Sequence, residues 1–179
     1  MNIWLKEVDI NDDDKYCNLL IELASYRDVY ARPVPSDFSK DDFDSFKKAR
    51  IQMASGIDLP SYVVQTNSYY VMEGDIPVGY ATLKHRLNPD TIGGHFGCCL
   101  KKEYQNKGIG NIVSELLSNI AYHDLGIQKI VYTSKCENIQ SQRSVNNIGA
   151  NFIGERNGYY FYEVDIAKKY SDEGKKKIW

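Results

Sequence analysis

The chain has 179 residues, of which 42% are hydrophobic and 26% are charged, a composition that fits one globular domain with an ordinary core. Its formal net charge of −2 and pI of about 5.9 exclude the basic field of a typical nucleic-acid-binding protein, so any phosphate site must be local. Neither a signal peptide nor an apolar run near the roughly 18 residues of a membrane helix is present, so we expect a cytoplasmic protein without membrane or nucleic-acid partners.

The N-terminal third predicts a strand followed by two helices. Residues 3–9 alternate loosely between apolar and polar side chains, as a half-buried strand does. The polar cluster at 11–14 favours a helix start, because short polar side chains and negative charge stabilise a helix N-terminus. The prolines of 32–35 end that helix. A second helix is predicted over 40–54, with Gly56 as its C-terminal cap.

The remainder of the chain predicts strands that alternate with helices, and this order indicates a mixed α/β domain with a central sheet. We treat residues 1–179 as one domain with a core at 68–166. The predicted elements after the loop at 57–66 are strands at 68–72, 76–84 and 95–100, a turn or loop at 87–90, a helix at 108–124, a strand at 129–134, a helix at 138–148, strands at 152–155 and 159–165, and a charged tail at 168–177 that is expected to fray.

The segment Gln105–Gly110 joins a predicted strand to the clearest amphipathic helix. Glycines at a helix start let a ligand approach the backbone, and the first helical N–H groups lack partners at the positive end of the helix dipole. The pattern therefore predicts a phosphate cradle. A Walker A loop is excluded because its Gly-Lys-Ser/Thr ending is absent, and Val113 stands where a dinucleotide fingerprint needs a third glycine. A plain glycine-containing helix start is the alternative.

Gln105, Gly108 and Gly110 match the Gln-x-x-Gly-x-Gly pyrophosphate loop of the GNAT N-acetyltransferase superfamily. Three further segments resemble one bacterial branch of predicted acetyltransferases: His85–Asn88, Gly93–Gly97 and Asn138–Ser141. The resemblance covers residues 77–165, about half of the chain. It implies an α+β fold whose central, mostly antiparallel sheet is flanked by helices and splayed at the cofactor strand. It also implies an enzyme that uses acetyl-CoA as co-substrate.

The resemblance assigns three groups of cofactor-binding residues. The backbones of one strand would bond the acetyl and pantetheine amides, the glycine-containing loop would hold the pyrophosphate, and one asparagine would bond the pantetheine arm. The asparagine also has an alternative role as the N-cap of the following helix. In this order, the residues are Cys98, Cys99 and Leu100; Gln105, Asn106, Lys107, Gly108, Ile109, Gly110 and Asn111; and Asn138.

The catalytic groups are less clearly indicated. Many members of the superfamily place a proton-donating tyrosine where this chain has Val145, so the general acid is unassigned. His95 is the first candidate for a general base and His85 the second, because histidine titrates near neutral pH. The alternative is that His95 is a packed, hydrogen-bonded histidine.

The four cysteines of the chain show neither a Cys-x-x-Cys pair nor zinc-ligand spacing, so no metal is expected. Direct transfer from acetyl-CoA needs no thiol nucleophile, and no activating His–Asp pair is evident. The adjacent Cys98 and Cys99 are therefore interpreted as small strand residues.

The resemblance implies acetyl transfer from acetyl-CoA to a primary amine of a small molecule or a protein. The two N-terminal helices and the loop at 57–67 are the expected acceptor-binding parts, and a homodimer is expected by analogy with the superfamily. The alternative is a catalytically weak acyl-CoA-binding sensor or interaction domain with the same fold, which the absent tyrosine keeps open.

Overall fold

The computed structural model describes residues 2–26, 32–88 and 92–176. Its strands form two antiparallel sheets. The first sheet has the order β1-β2-β3-β4, with β1 (Ile3–Glu7), β2 (Thr66–Glu73), β3 (Ile76–Lys84) and β4 (Phe96–Leu100). The second has the order β5-β7-β6, with β5 (Lys129–Lys135), β6 (Asn151–Arg156) and β7 (Tyr159–Asp165).

The helices pack on the two sheets: the first two lie on one face of the first sheet, the third lies on its other face, and the last two pack against the third helix and β5. They are α1 (Asp14–Ser25), α2 (Phe43–Ser55), α3 (Ile109–His123), α4 (Ile139–Asn147) and α5 (Ile166–Lys176), with short 3-10 turns at Lys40–Asp42 and Lys102–Tyr104. Alternation along β2 divides the core, because successive strand residues point to opposite faces. Tyr70 and Met72 pack under α1 and α2, whereas Tyr69 and Val71 pack with α3 and the second sheet.

The predicted α+β class is confirmed, and the predicted strands and helices have counterparts in the structure. Asp13 caps α1 by accepting a hydrogen bond from the Lys15 N–H, and Gly56 ends α2 in the left-handed conformation. The loop predicted at 87–90 lies partly outside the described residues, as does the end of the predicted tail. Within the described ranges, no helix is long and apolar enough to span a membrane.

The prediction that the tail frays is wrong for residues 168–170, which belong to the docked first half of α5. Ile166 and Tyr170, four residues apart and so on one helix face, are both buried. The Tyr170 ring stacks on Tyr122 at 5.4 Å, and its hydroxyl donates to Glu115 Oε1 at 2.8 Å. This apolar pair docks α5 on α3. The sequence pattern did not reveal it, because most of the neighbouring residues are charged.

The two sheets meet at the start of β4. The His95 N–H donates to the Val131 carbonyl at 2.8 Å, and the Gly94 N–H donates to Thr133 Oγ1 at 3.0 Å. A Cβ on Gly94 would overlap the Val131 carbonyl oxygen and lie 3.0 Å from Tyr132 Cα. Only glycine fits this backbone-to-backbone approach.

We expect Gly94→Ala to lower the free energy of unfolding by about 1–3 kcal/mol, because the atoms that its methyl group meets are backbone and cannot rotate away. Urea denaturation measures the change. Gly93→Ala is the matched control, since its methyl group would meet only the flexible Lys84 Nζ at 3.0 Å. Equal stability losses in the two variants would contradict the steric junction.

Candidate functional site

Five consecutive backbone N–H groups are available at the loop between β4 and α3. Asn106 and Gly108 have φ angles of 59° and 77°, and the Gly108 carbonyl accepts the first helical bonds from Asn111 and Ile112. Within the described part of the chain, none of the N–H groups of Asn106–Gly110 donates to a protein acceptor. These donors lie at the positive end of a 15-residue helix, which is the arrangement that the predicted anion cradle requires.

The start of this loop is held by the end of α1. The Tyr26 hydroxyl donates to Glu22 Oε1 at 2.7 Å and accepts from the Lys102 N–H at 3.3 Å. Lys101 Nζ lies 3.2 Å from the other Glu22 oxygen. Burial raises the pKa of Tyr26 to about 12, so the hydroxyl keeps its proton and both bonds at neutral pH. The cradle is therefore positioned by residues that the sequence analysis did not single out.

Strand β4 leaves one backbone edge open toward the space between the sheets. The backbone N–H of Lys84 donates to the His95 carbonyl at 2.8 Å, and that of Lys101 donates to the Val78 carbonyl at 2.9 Å. These two bonds determine which residues of β4 point their backbone groups at β3. Because alternate residues of an antiparallel strand bond to one neighbour, Cys99 directs its backbone groups at β3. Cys98 and Leu100 direct theirs to the open edge, where, among the described residues, the N–H and carbonyl of Cys98 and the N–H of Leu100 remain free, while the Leu100 carbonyl accepts from Gln105.

The loop's first residue and the N-terminus of α4 adjoin this edge. Gln105 Nε2 donates to the Leu100 carbonyl at 3.0 Å, so this side chain closes the end of β4. Asn138 caps α4, with its Oδ1 accepting from the Ser141 N–H at 3.0 Å. Within the described ranges, Asn138 Nδ2 donates to no protein acceptor. The side chain can therefore cap α4 through its oxygen and bind a ligand through its nitrogen. Asn111 Oδ1 accepts from the Ser144 hydroxyl and ties α3 to α4.

His95 is part of the junction between the sheets. It is 8% exposed, and its Nδ1 accepts a hydrogen bond from the Val131 N–H at 3.0 Å. The ring proton of the neutral imidazole therefore sits on Nε2, which leaves no ring nitrogen free to take a proton. Burial lowers the pKa of His95, and the nearby Lys84 adds to this effect. This geometry gives His95 a structural role and argues against the predicted base.

His85 lies at the end of a hydrogen-bonded chain across three strands. Its Nε2 contacts Asn67 Oδ1, and Asn67 Nδ2 donates to Glu7 Oε1. An amide oxygen only accepts, so Nε2 carries the proton and Nδ1 remains available as a base. Burial lowers the pKa of His85. Four residues separate it from Ala81, the partner of Cys98, which corresponds to roughly 13 Å along a strand.

Val145 is 5% exposed and belongs to the core between α3 and the second sheet. The α4 position predicted to lack a proton donor is thus filled by packing. The protein around Cys98 raises the pKa of its thiol to about 12, although the side chain is open to solvent, and burial raises that of Cys99 to about 11. Both thiols are protonated at neutral pH and are poor nucleophiles.

A small cavity of about 130 Å³ lies on the α1–α2 face of β3 and β4. It borders the cofactor strand, and apart from Cys98 and Cys99 the sequence analysis named none of its residues as site residues. Its lining residues are Arg32, Pro33, Arg50, Tyr80, Thr82, Gly97, Cys98 and Cys99.

A larger, shallow depression of about 600 Å³ lies at Lys135–Glu137 and Asn157–Tyr159, and it shares no residue with the cradle. Within residues 2–26, 32–88 and 92–176, no group of three His, Cys, Asp or Glu side chains is placed to hold a metal ion.

Residues 3–151 match the family model described as an acetyltransferase (GNAT) domain. No curated protein matches the chain.

Solved structures of low identity share the fold. RimL, a ribosomal L7/L12 alpha-N-protein acetyltransferase in complex with coenzyme A, is 15% identical over 93% of this chain and 96% of its own, with a TM-score of 0.70. The N-acetyltransferase PseH of Campylobacter jejuni, in complex with acetyl coenzyme A, is 14% identical over 92% and 99%, with a TM-score of 0.60. Variant forms of the spermidine/spermine N-acetyltransferase SpeG of Vibrio cholerae are 16% identical over 96% and 99%, with a TM-score of 0.63.

The buried His95 makes stability depend on pH. Its folded-state pKa lies below the ordinary 6.5, so the unfolded chain binds the proton more readily. This stability is therefore fully present above about pH 6.5 and is lost as the pH falls. We expect His95→Asn, whose amide oxygen still accepts from Val131, to flatten the loss of unfolding free energy below pH 6.5. Urea denaturation between pH 7 and 5 tests this, with the exposed His123→Asn as control; equal slopes in both variants would refute it.

Gly110 is the second test of the site. A Cβ there would meet only Ser144 Oγ at 3.8 Å, so the fold itself does not require glycine. We expect Gly110→Ala to keep or raise the melting temperature. Its methyl group would keep the pyrophosphate away from the backbone N–H, so one charge-assisted hydrogen bond is lost and acetyl-CoA binding weakens about tenfold. Calorimetry measures both, and the exposed Asn119→Ala on the same helix is the control. Unchanged affinity would mean that no ligand approaches this backbone.

Proposed function

The chain belongs to the GNAT acetyltransferase family, and on that premise we propose that it transfers the acetyl group of acetyl-CoA to a primary amine of a small molecule or protein. The row of free N–H groups at Asn106–Gly110 carries this proposal. A pyrophosphate is the ligand that best matches five adjacent donors at a helix N-terminus. The free N–H groups of Cys98 and Leu100 and the free Cys98 carbonyl adjoin this loop and suit the amides of a pantetheine arm.

The roles proposed for the remaining cofactor residues follow from this arrangement. Gln105 and Asn111 position the loop and its helix, and Asn138 offers its side-chain N–H₂ to the pantetheine arm. Lys107, whose Nζ lies 5.6 Å from the centroid of the Tyr104 ring, adds local positive charge for the phosphates. The predicted acetyl-CoA thus extends from the loop along the open edge of β4.

The chemistry that the site supports is direct attack of the amine on the thioester carbonyl. The amine nitrogen forms a bond to the carbonyl carbon, the carbon–sulfur bond breaks, and coenzyme A leaves as a thiol. An enzyme-bound acyl intermediate on Cys98 or Cys99 is disfavoured, because both thiols hold their protons at neutral pH. Of the two predicted bases, only His85 has a ring nitrogen free to take a proton, and it lies roughly 13 Å along the strand from the partner of Cys98.

The sensor function remains the second candidate, and Val145 is the observation that favours it. A buried valine on α4 supplies no proton to a leaving thiolate, so a chain that binds acetyl-CoA without turnover is consistent with this position. The cytoplasmic location and the homodimer stay predictions from the sequence.

Acetyl-CoA turnover separates the two functions. We expect calorimetry to give saturable acetyl-CoA binding, and free thiol to appear when amines are added. Because the protein contains four cysteines of its own, a blank without acceptor is subtracted and the acetylated amine is identified by mass spectrometry. Binding without thiol release across amino acids, polyamines and peptides would refute the transferase and support the sensor. Absence of binding would refute both.

A further inference from the structure

The small cavity on the α1–α2 face is placed to receive the acceptor. Tyr80 and Cys99 belong to the core under α1 and α2, and Gly97–Cys99 of the cofactor strand form one wall of the cavity. A molecule in this cavity would therefore meet β4 beside Cys98, where the proposed acetyl-CoA passes.

The charged groups that line this cavity are cationic. Arg50 directs its guanidinium over the Phe46 ring at 4.9 Å and donates only to the Pro33 carbonyl at 3.2 Å and Met53 Sδ at 3.5 Å. Its Nε is buried and has no hydrogen-bond partner. Among the described residues, no carboxylate forms an ion pair with Arg50, and no lining residue is Asp or Glu.

Lys84 is a second cation on the same face of β3, outside the lining of the cavity and beside Gly93. It lies two residues beyond Thr82, so both side chains point to the α1–α2 side of the strand. Burial lowers the pKa of Lys84, and in the described part of the chain no carboxylate pairs with it. A cation without a counter-ion is costly to bury and is stabilised by an anionic ligand.

Buried hydroxyl groups complete the polar surface. Tyr80 lines the cavity and is 4% exposed. Its hydroxyl lies near the hydroxyl of the buried Ser68, but neither group makes a hydrogen bond of good geometry. An unpaired buried hydroxyl costs free energy that a bound oxygen atom recovers. The Tyr80 hydroxyl keeps its proton, because burial raises its pKa, and so it acts as a donor.

We propose that the acceptor is a small amine that also carries a carboxylate, which Arg50 and Tyr80 bind while the amine faces β4. This inference rests on the proposed acetyl transfer and adds the class of acceptor. Arg presents a planar fork that matches a carboxylate in two parallel hydrogen bonds. A polyamine is disfavoured, because its additional ammonium groups would meet Arg50 in a cavity whose lining has no carboxylate to balance them.

The volume of the cavity limits the size of the acceptor. At about 130 Å³, it is well below the roughly 300–1,000 Å³ of pockets that enclose drug-sized ligands. The cavity thus suits an amino-acid-sized molecule rather than a folded protein segment.

Matched acceptors test the class directly. Amino acids, their amides, O-phosphoethanolamine and spermidine are compared at one pH by thiol release, with each acetylated product confirmed by mass spectrometry. We expect kcat/KM to be about 10- to 100-fold higher for an amino acid than for its amide. The amide has the less basic amine and would be favoured if only amine reactivity mattered. Equal rates, or a preference for spermidine or the phosphate compound, would overturn the assignment.

Substitutions at Arg50 test the site. We expect Arg50→Gln to bring the ratio of kcat/KM between acid and amide close to one, mainly by raising KM for the acid. A folding defect would lower kcat/KM for both acceptors by the same factor and leave their ratio unchanged. Arg50→Lys should keep part of the preference. Lys48→Gln removes an exposed charge from the same helix and should change nothing. A preference that survives in Arg50→Gln would show that another group binds the carboxylate.

Direct binding separates failure of this inference from failure of the transferase. Calorimetric titration of an amino acid and its amide into protein saturated with coenzyme A requires no turnover. Binding of the acid alone, abolished in Arg50→Gln, would uphold the carboxylate site even if no thiol were released. Thiol release without a difference between acid and amide would uphold the transferase and refute the site.

Discussion

The close approach of Gly94 and His95 to β5 is the contact on which the rest of the site depends. Among the described residues, the two sheets are joined through backbone at this place, with the His95 N–H and imidazole both bonded to Val131. Beyond it, β4 is the edge of its sheet. The unpaired N–H groups of Cys98 and Leu100 and the unpaired Cys98 carbonyl follow from that separation, because a continuous ladder with β5 would use the same groups. The binding edge is thus a consequence of where the sheets join.

The junction also explains why a histidine stands at position 95. A backbone carbonyl would normally accept from the Val131 N–H, and the imidazole Nδ1 takes that place. The ring spans the space as β4 turns away from β5, and its burial keeps it neutral. A titrating base at this position would lose the Val131 bond whenever it took up a proton. Structural and catalytic use of His95 therefore exclude each other.

The helices and strands of the fold were largely predictable, because their buried residues recur at regular spacing along the sequence. The α3 pattern and the hairpin of β2 and β3 follow from residue spacing alone, and the loop at 105–110 follows from glycine and helix chemistry. The contributions of Glu22 and Tyr26 to the loop and of Arg50 to the cavity were not predictable from the sequence. Lys101 and Lys102, the contacts of Glu22 and Tyr26, lie more than 70 positions away, and Arg50 reaches the cavity only because α2 packs across β2. In the same way, two apolar residues among many charged ones were too weak a pattern to reveal α5.

Acetyl transfer does not require a tyrosine in place of Val145, because the overall reaction neither takes up nor releases a proton. A neutral amine and a thioester give an amide and a thiol, so the proton lost by nitrogen equals the proton gained by sulfur. The site's main requirement is then that the amine arrives unprotonated. Cations near the amine lower its pKa, and Arg50 and Lys84 supply them without a carboxylate to offset the effect. A carboxylate on the acceptor would neutralise part of that charge on binding. The small cavity must therefore hold the acceptor with its amine nearer to β4 and its carboxylate farther away, so that the amine stays unprotonated. The same two cations can thus select the acceptor and prepare it for attack.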